Sequence, residues 1–163
     1  PSKDDINLAL KDAENHLKTI QGITNIKKTA DYQNYIFTIS CDFDKVASLD
    51  AVFQDLIKQQ NKKEKTNFNT TNFSYNATTN NFKRLFSYDS NIKNSFYKLK
   101  GEDRKIFKDA SYTSIYRFNN AVESVSNSSA KVSPNKKAVL LNIDAMSLIL
   151  GEKSVANTIQ LSK

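Results

Sequence analysis

The chain has 163 residues, 39% hydrophobic and 25% charged, with three Gly and two Pro. That length holds one domain with a real core, and the composition excludes a disordered or fibrous chain. The formal charge of +7 comes from Lys, since Arg84, Arg104 and Arg117 are the only Arg among 24 basic residues; specific nucleic-acid recognition leans on the planar Arg fork, so the charge reads as a solvated Lys-rich surface and no nucleic-acid partner is expected.

Along the chain, Ser2-Lys3-Asp4-Asp5 reads as a helix start, an oxygen-bearing cap followed by acids in the first turn. Ile6, Leu10, Ala13, Leu17 and Ile20 follow at helical spacing, with His16 on the flank of the stripe and Gly22 as the stop. Two strands are expected over 23–28 and 32–43, joined around Thr29-Ala30-Asp31. Alternation in the second puts Tyr35, Phe37, Ile39, Cys41 and Phe43 on one face, which makes Cys41 a small core residue. A second helix carries Val46, Leu49, Val52, Phe53, Leu56 and Ile57 on one face, with Asp44 or Ser48 as its cap. It runs out in a polar, charge-rich loop over 59–65.

The stretch 67–88 alternates aromatics with Asn, Thr and Ser, and polar residues between two β-prone runs argue for a second hairpin. Helical signal resumes with Ile92, Phe96 and Leu99, breaks at Gly101 and continues through Ile106 and Phe107. The last third is β-rich. A strand covers 112–118 and extends through 121–125; two more, 130–133 and 137–143, flank the turn Pro134-Asn135-Lys136. Asp144 caps a short helix with Met146, Leu148 and Ile149, Gly151 ends it, and a final strand covers 154–161. The order α-β-β-α-β-β-α-β-β-β-α-β predicts a single α+β domain over 1–163, a mostly antiparallel sheet with helices packed on one face.

No apolar run approaches the roughly 20 residues needed to cross a bilayer. One Cys allows no internal disulfide, and a reactive Cys41 would need the lone His16 beside it. The sequence contains no phosphate-binding Gly loop, zinc-ligand pair, HExxH or GxSxG, so neither enzyme activity nor a metal or other cofactor is expected. Carboxylate pairs such as Asp42 with Asp44 and Glu102 with Asp103 leave hydrolase chemistry as an alternative. Two constellations suit binding. Arg117, on a Tyr- and Phe-rich strand, reads either as a structural Arg paired with Asp103 or Asp109 or stacked on a Tyr, or as a ligand anchor. The aromatic stretch 68–97, with Phe73, Tyr75, Phe82, Phe86 and Tyr88 as its candidate contacts, has what a glycan- or peptide-binding surface needs, rings to stack and amides to bond; the buried face of a sheet needs the same rings. The Asn-x-Ser/Thr triplets at Asn69, Asn72, Asn76 and Asn127 follow from an Asn-rich composition.

Two resemblances bear on location. Ser2-Lys3-Asp4-Asp5, preceded by Pro1 and no Met, resembles the acidic-and-Lys signal that follows the lipidated Cys of Bacteroidetes lipoproteins. That likeness implies an exported protein, outer membrane-associated or on the cell surface, whose signal peptide and lipidated Cys preceded residue 1. In the C-terminal half, Tyr112-Thr-Ser-Ile-Tyr-Arg-Phe118, Val122-Glu-Ser-Val-Ser-Asn127 and Ser133-Pro-Asn-Lys-Lys-Ala-Val-Leu-Leu141 are similar to a pattern of LppM-type bacterial envelope lipoproteins. The chain lacks that family's common Trp and Gly in the hairpin, and the likeness implies a fold and no catalytic residues. The expectation is a non-catalytic envelope protein that meets a protein or glycan partner and touches a membrane only through a lipid anchor outside this chain.

Overall fold

The computed structural model describes residues 2–60 and 71–163. Five helices and nine strands alternate among them in the expected α+β order, with the third helix broken at Gly101 and the strand expected over 112–125 divided in two. The strands form antiparallel sheets, three in number rather than one. Contacts divide the chain into Pro1–Phe73 and Ser74–Lys163, and each unit is described by itself. Beyond Gln60 the expected polar loop lies outside the described residues, as do Phe68 and Asn69.

The first unit is built from α1 (Lys3–Leu17), β1 (Ile23–Asp31), β2 (Ile36–Phe43) and α2 (Val46–Gln60). Ser2 and Asp5 bond reciprocally, Asp5 N–H to Ser2 Oγ at 3.2 Å and Ser2 N–H to Asp5 Oδ2 at 2.9 Å, so two otherwise orphaned donors are satisfied where α1 begins. The predicted stripe turns inward: Leu17 is buried, and Ile6, Leu10 and Ala13 are half-buried. Both helices contact β2, and one face of the hairpin is covered accordingly: Ile39 and Cys41 are half-buried while Thr38 and Ser40 are exposed. The hairpin connection is 32–35 rather than the expected 29–31. Asp31 decides this, because its Oδ1 accepts the N–H groups of Gln33 and Asn34, each at 3.0 Å, and bends the chain two residues later.

Gly22 takes φ +85 where α1 gives way to β1, and its carbonyl accepts the Asp44 N–H at 3.0 Å. Ser48, expected as a possible cap, lies inside α2, buried, and donates to Asp44 Oδ1 at 2.6 Å. Two residues further, the carboxylate of Asp50, 8% exposed, accepts the backbone N–H groups of Asn72 at 2.5 Å and Phe73 at 2.9 Å. Its other oxygen accepts Gln54 Nε2 at 2.8 Å. A helix side chain therefore supplies the hydrogen bonds of the chain entering the next strand, which would otherwise be buried without acceptors.

The second unit contains β3 (Phe73–Asn76, which straddles the division), β4 (Asn81–Arg84), α3 (Ser90–Lys98), α4 (Gly101–Lys105), β5 (Ser111–Arg117), β6 (Val122–Val125), β7 (Ala130–Val132), β8 (Ala138–Asp144), α5 (Ala145–Leu150) and β9 (Asn157–Leu161). One sheet has the order β3-β4-β9-β6 and the other β5-β8-β7. The run 121–125 was expected to extend β5. Instead the chain changes sheets at 118–121: β5 pairs with β8, and β6 with β9. Mutual bonds fix the switch, Ala121 N–H to Ser162 Oγ at 3.2 Å and Ser162 N–H to the Ala121 carbonyl at 2.8 Å. Strict alternation along β8 buries Val139, Leu141 and Ile143, and alternation along β9 buries Asn157, Ile159 and Leu161. Phe86, Tyr112, Ala130 and Leu148 pack on the Leu141–Ile143–Val155 cluster.

Candidate functional site

The aromatic residues proposed as a platform are placed mainly as core. Phe73 is 4% exposed and stands edge-on to Phe53 at 4.7 Å between ring centres. Phe82 is 5% exposed, against Tyr116 at 5.2 Å and Phe118 at 5.5 Å. Phe86 packs on the cluster described above. Phe73 and Phe82 fill the fold and offer no open face for stacking, and Phe86 is half-buried. Tyr75 and Tyr88 are exposed, but each hydroxyl is engaged: Tyr75 donates to Asn80 Oδ1 at 2.9 Å, and Tyr88 to the Ile149 carbonyl at 2.7 Å. The Tyr88 ring also closes over Gly151, the left-handed residue that ends α5, at a distance that leaves no room for a Cβ. Tyr88 is thus a latch on the helix end.

Arg117 sits exposed at the end of β5, opposite Ala138, and makes no ion pair among the described residues, so neither Asp103 nor Asp109 holds it. The Arg that enters the fold is Arg84. It is 8% exposed, donates from Nη1 to the Leu85 carbonyl at 2.6 Å, and shares the inward face of β4 with Phe82. Burial pushes the Tyr116 phenol above its ordinary value, and the Arg84 charge partly opposes that shift. The alternation of Asn81-Phe82-Lys83-Arg84 carried the signal for an inward Arg84.

The carboxylate pairs are tied locally. Asp42 accepts Asn25 Nδ2 at 2.6 Å, and Glu102 pairs with Lys105 at 2.8 Å. The Ser48 hydroxyl holds the Asp44 carboxyl below its ordinary value, opposite to the upward shift a general acid requires. Cys41 is shifted up by burial and by the neighbouring Asp42 charge, which favours the thiol over the thiolate. His16 Nδ1 lies 3.5 Å from Asp55 Oδ2, joining α1 to α2. Among the described residues, no three His, Cys, Asp or Glu side chains gather as a metal site would require.

Two surface features of the first unit escaped the sequence reading. A cleft of about 370 Å³ lies between α1 and β1, lined by Asn7, Leu10, Lys11, Lys28, Thr29 and Ala30. Two of its polar side chains are engaged with the fold: Lys28 pairs with Glu14 at 2.5 Å, and Asn7 Oδ1 accepts the Tyr32 hydroxyl at 2.6 Å. Beside it, the β1–β2 connection presents Tyr35 at 80% and Ile36 at 58% exposure. Tyr35 adopts φ +55, a left-handed backbone that favours Gly and Asn and strains an aromatic residue. No signal in the sequence marked it, because alternation grouped Tyr35 with the inward residues of β2.

No protein-family model, curated protein or solved structure matches this chain.

Proposed function

We propose that this chain is a non-catalytic bacterial cell-envelope protein that works by presenting a binding surface, with Tyr35 and Ile36 at the β1–β2 tip as its contact residues. Tyr35 carries the reading. It is the most exposed large hydrophobic residue described, at 80%, and it is held on a left-handed backbone that Asp31 fixes from the other side of the turn. Strain of this kind costs on the order of 1–3 kcal/mol and clusters at functional sites such as ligand clamps and switch regions. Tyr supplies a broad, rigid contact at low entropic cost, with a hydroxyl to orient it, and such residues dominate protein recognition. The envelope address rests on the likeness of Ser2-Lys3-Asp4-Asp5 to a lipoprotein sorting signal; Ser2 and Asp5 also serve as the cap of α1.

The test is site-specific photocrosslinking of the gene product expressed from its own locus. A benzophenone side chain at position 35 is compared with one at position 8, where Leu8 is 59% exposed on α1. The expected result is a discrete adduct from position 35, weakened by Ile36→Asp, with the protein recovered in the membrane fraction. Equal labelling from positions 8 and 35, or recovery in the cytoplasm, overturns the proposal.

A further inference from the structure

The positive charge is not shared between the two units. Residues 1–73 hold ten basic and ten acidic residues, while 74–163 hold fourteen basic and seven acidic ones. The excess is carried largely by α3 and α4, where Lys93, Lys98, Lys100, Arg104, Lys105 and Lys108 stand against Glu102 and Asp103, with Asp89 and Asp109 at the two ends of the segment. Lys105 is paired with Glu102 at 2.8 Å; Lys93, Lys98, Lys100 and Lys108 make no ion pair among the described residues. Apolar side chains stand open among these charges: Ile92 at 42%, Tyr97 at 54%, Leu99 at 38% and Ile106 at 71%.

The segment is anchored from beneath. Phe96 is 8% exposed and meets the Phe107 ring edge-on at 5.7 Å. Tyr97 and Ile106, the chain neighbours of these two rings, therefore flank one anchoring contact and project from it. An anchored patch of unpaired lysines, one Tyr and three aliphatics matches one kind of partner closely. Lysine stems lie along apolar surface while their ammonium groups reach anionic headgroups, and Tyr and Ile gain by entering the interfacial layer. A nucleic-acid groove would reward neither Ile106 nor Leu99, and it would call for Arg; the segment has one Arg, half-buried Arg104. The helices have nine and five residues, lengths that can lie on a bilayer and cannot cross it.

We propose that α3 and α4 dock on the surface of an anionic lipid bilayer, with Tyr97 and Ile106 entering the headgroup layer and Lys93, Lys98, Lys100 and Lys108 meeting its charge. Such a contact stands independently of the hairpin-tip reading, and it differs from the expectation that any membrane contact needs a lipid anchor.

The experiment is co-sedimentation of the full chain with vesicles of phosphatidylcholine alone, or with about 30% phosphatidylglycerol, at about 50 mM and about 500 mM salt. Binding is expected only to the anionic vesicles and only at low salt. Ile106→Asp, or Tyr97→Ser with Ile106→Ser, should weaken it about tenfold, and neutralising Lys93, Lys98, Lys100 and Lys108 to Gln should weaken it further. These positions are exposed, and unchanged melting temperatures will show that the variants fold. Neutralising Lys11 and Lys27 in the first unit should leave binding unchanged. Absence of charge-dependent vesicle binding overturns the proposal, as does binding indifferent to Ile106→Asp or equally sensitive to Lys11 and Lys27. Binding to duplex DNA but not to anionic vesicles, lost in the same lysine variant, assigns the patch to nucleic acid instead.

Discussion

Asp50→Ala removes an acceptor from two buried backbone donors at once. In the folded chain, Asp50 Oδ1 accepts from Asn72 at 2.5 Å and from Phe73 at 2.9 Å, and the side chain is nearly sealed from water. Each buried donor left without an acceptor costs about 1–3 kcal/mol, so the substitution should destabilise the first unit by about 2–5 kcal/mol. A typical domain has about 5–15 kcal/mol in total, which makes this a large fraction. Asp50→Asn keeps one oxygen for the backbone donors, and Gln54 can rotate its amide to face the new NH2 group; the expected cost is about 1 kcal/mol. Urea unfolding followed by circular dichroism should place the Asp50→Ala midpoint about 1–2 M below wild type at an unchanged slope. Hydrogen exchange at the Asn72 and Phe73 amides should accelerate in Ala and much less in Asn. The reasoning fails if Ala and Asn are equally harmful, since then the shared loss of charge, rather than the lost acceptor, sets the cost.

Gly22→Ala should destabilise the chain by about 1–3 kcal/mol, because φ +85 disfavours a Cβ and the new methyl would overlap the Asp44 carboxylate and the Ser48 hydroxyl; an unchanged melting temperature would contradict this. Tyr88→Phe should cost about 1 kcal/mol through the lost bond to the Ile149 carbonyl and Tyr88→Ala more, and thermal unfolding that places the two variants together would deny the ring its role over Gly151. Glu14 accepts from Lys18 and Lys28, which bring its carboxyl down to about 2 from an ordinary 4.5, and carbon-detected NMR titration should find that midpoint. A carboxyl held low in the folded chain stabilises it above pH 4.5 and loses that contribution as pH falls toward 2, so Glu14→Gln should narrow the stability difference between those pH values.

What could be read in the residues was local. Ile6, Leu10 and Ala13 turn inward as their spacing requires, Asp144 caps α5 with a 2.8 Å bond from the Ser147 N–H, and β8 buries every second residue. Where the reading failed, distant partners made the decision. The switch from β5 to β6 depends on Ser162, about forty residues away, and no periodicity within 112–125 contains it. The hairpin moved to 32–35 because the Asp31 side chain competes with the ladder for backbone donors. The aromatic platform was ambiguous for a different reason. Period-two aromatics describe the inner face of a sheet and a stacking surface equally well, and only burial separates Phe73 and Phe82 from Tyr75 and Tyr88.

Exceptions to local rules divide into two kinds here, and the division bears on function. Buried Asp50 and Arg84 break the rule that charge stays outside, yet each has groups of the fold bonded to it, so the fold accounts for both. Lys136 takes a left-handed φ of +57, but its N–H closes the turn on the Ser133 carbonyl at 2.8 Å. Tyr35 and Ile106 are different. One is an aromatic residue on a backbone suited to Gly or Asn, the other an aliphatic residue exposed by 71%, and no ring contact or side-chain hydrogen bond joins either to the described residues. A sequence specifies its fold when local choices agree with the global one, and the sites where they disagree without an internal return are where selection outside the fold acts. That argument separates the two contact surfaces proposed for this chain from Phe73, Phe82, Phe86 and Tyr88, whose places in the core or against a helix end are already explained.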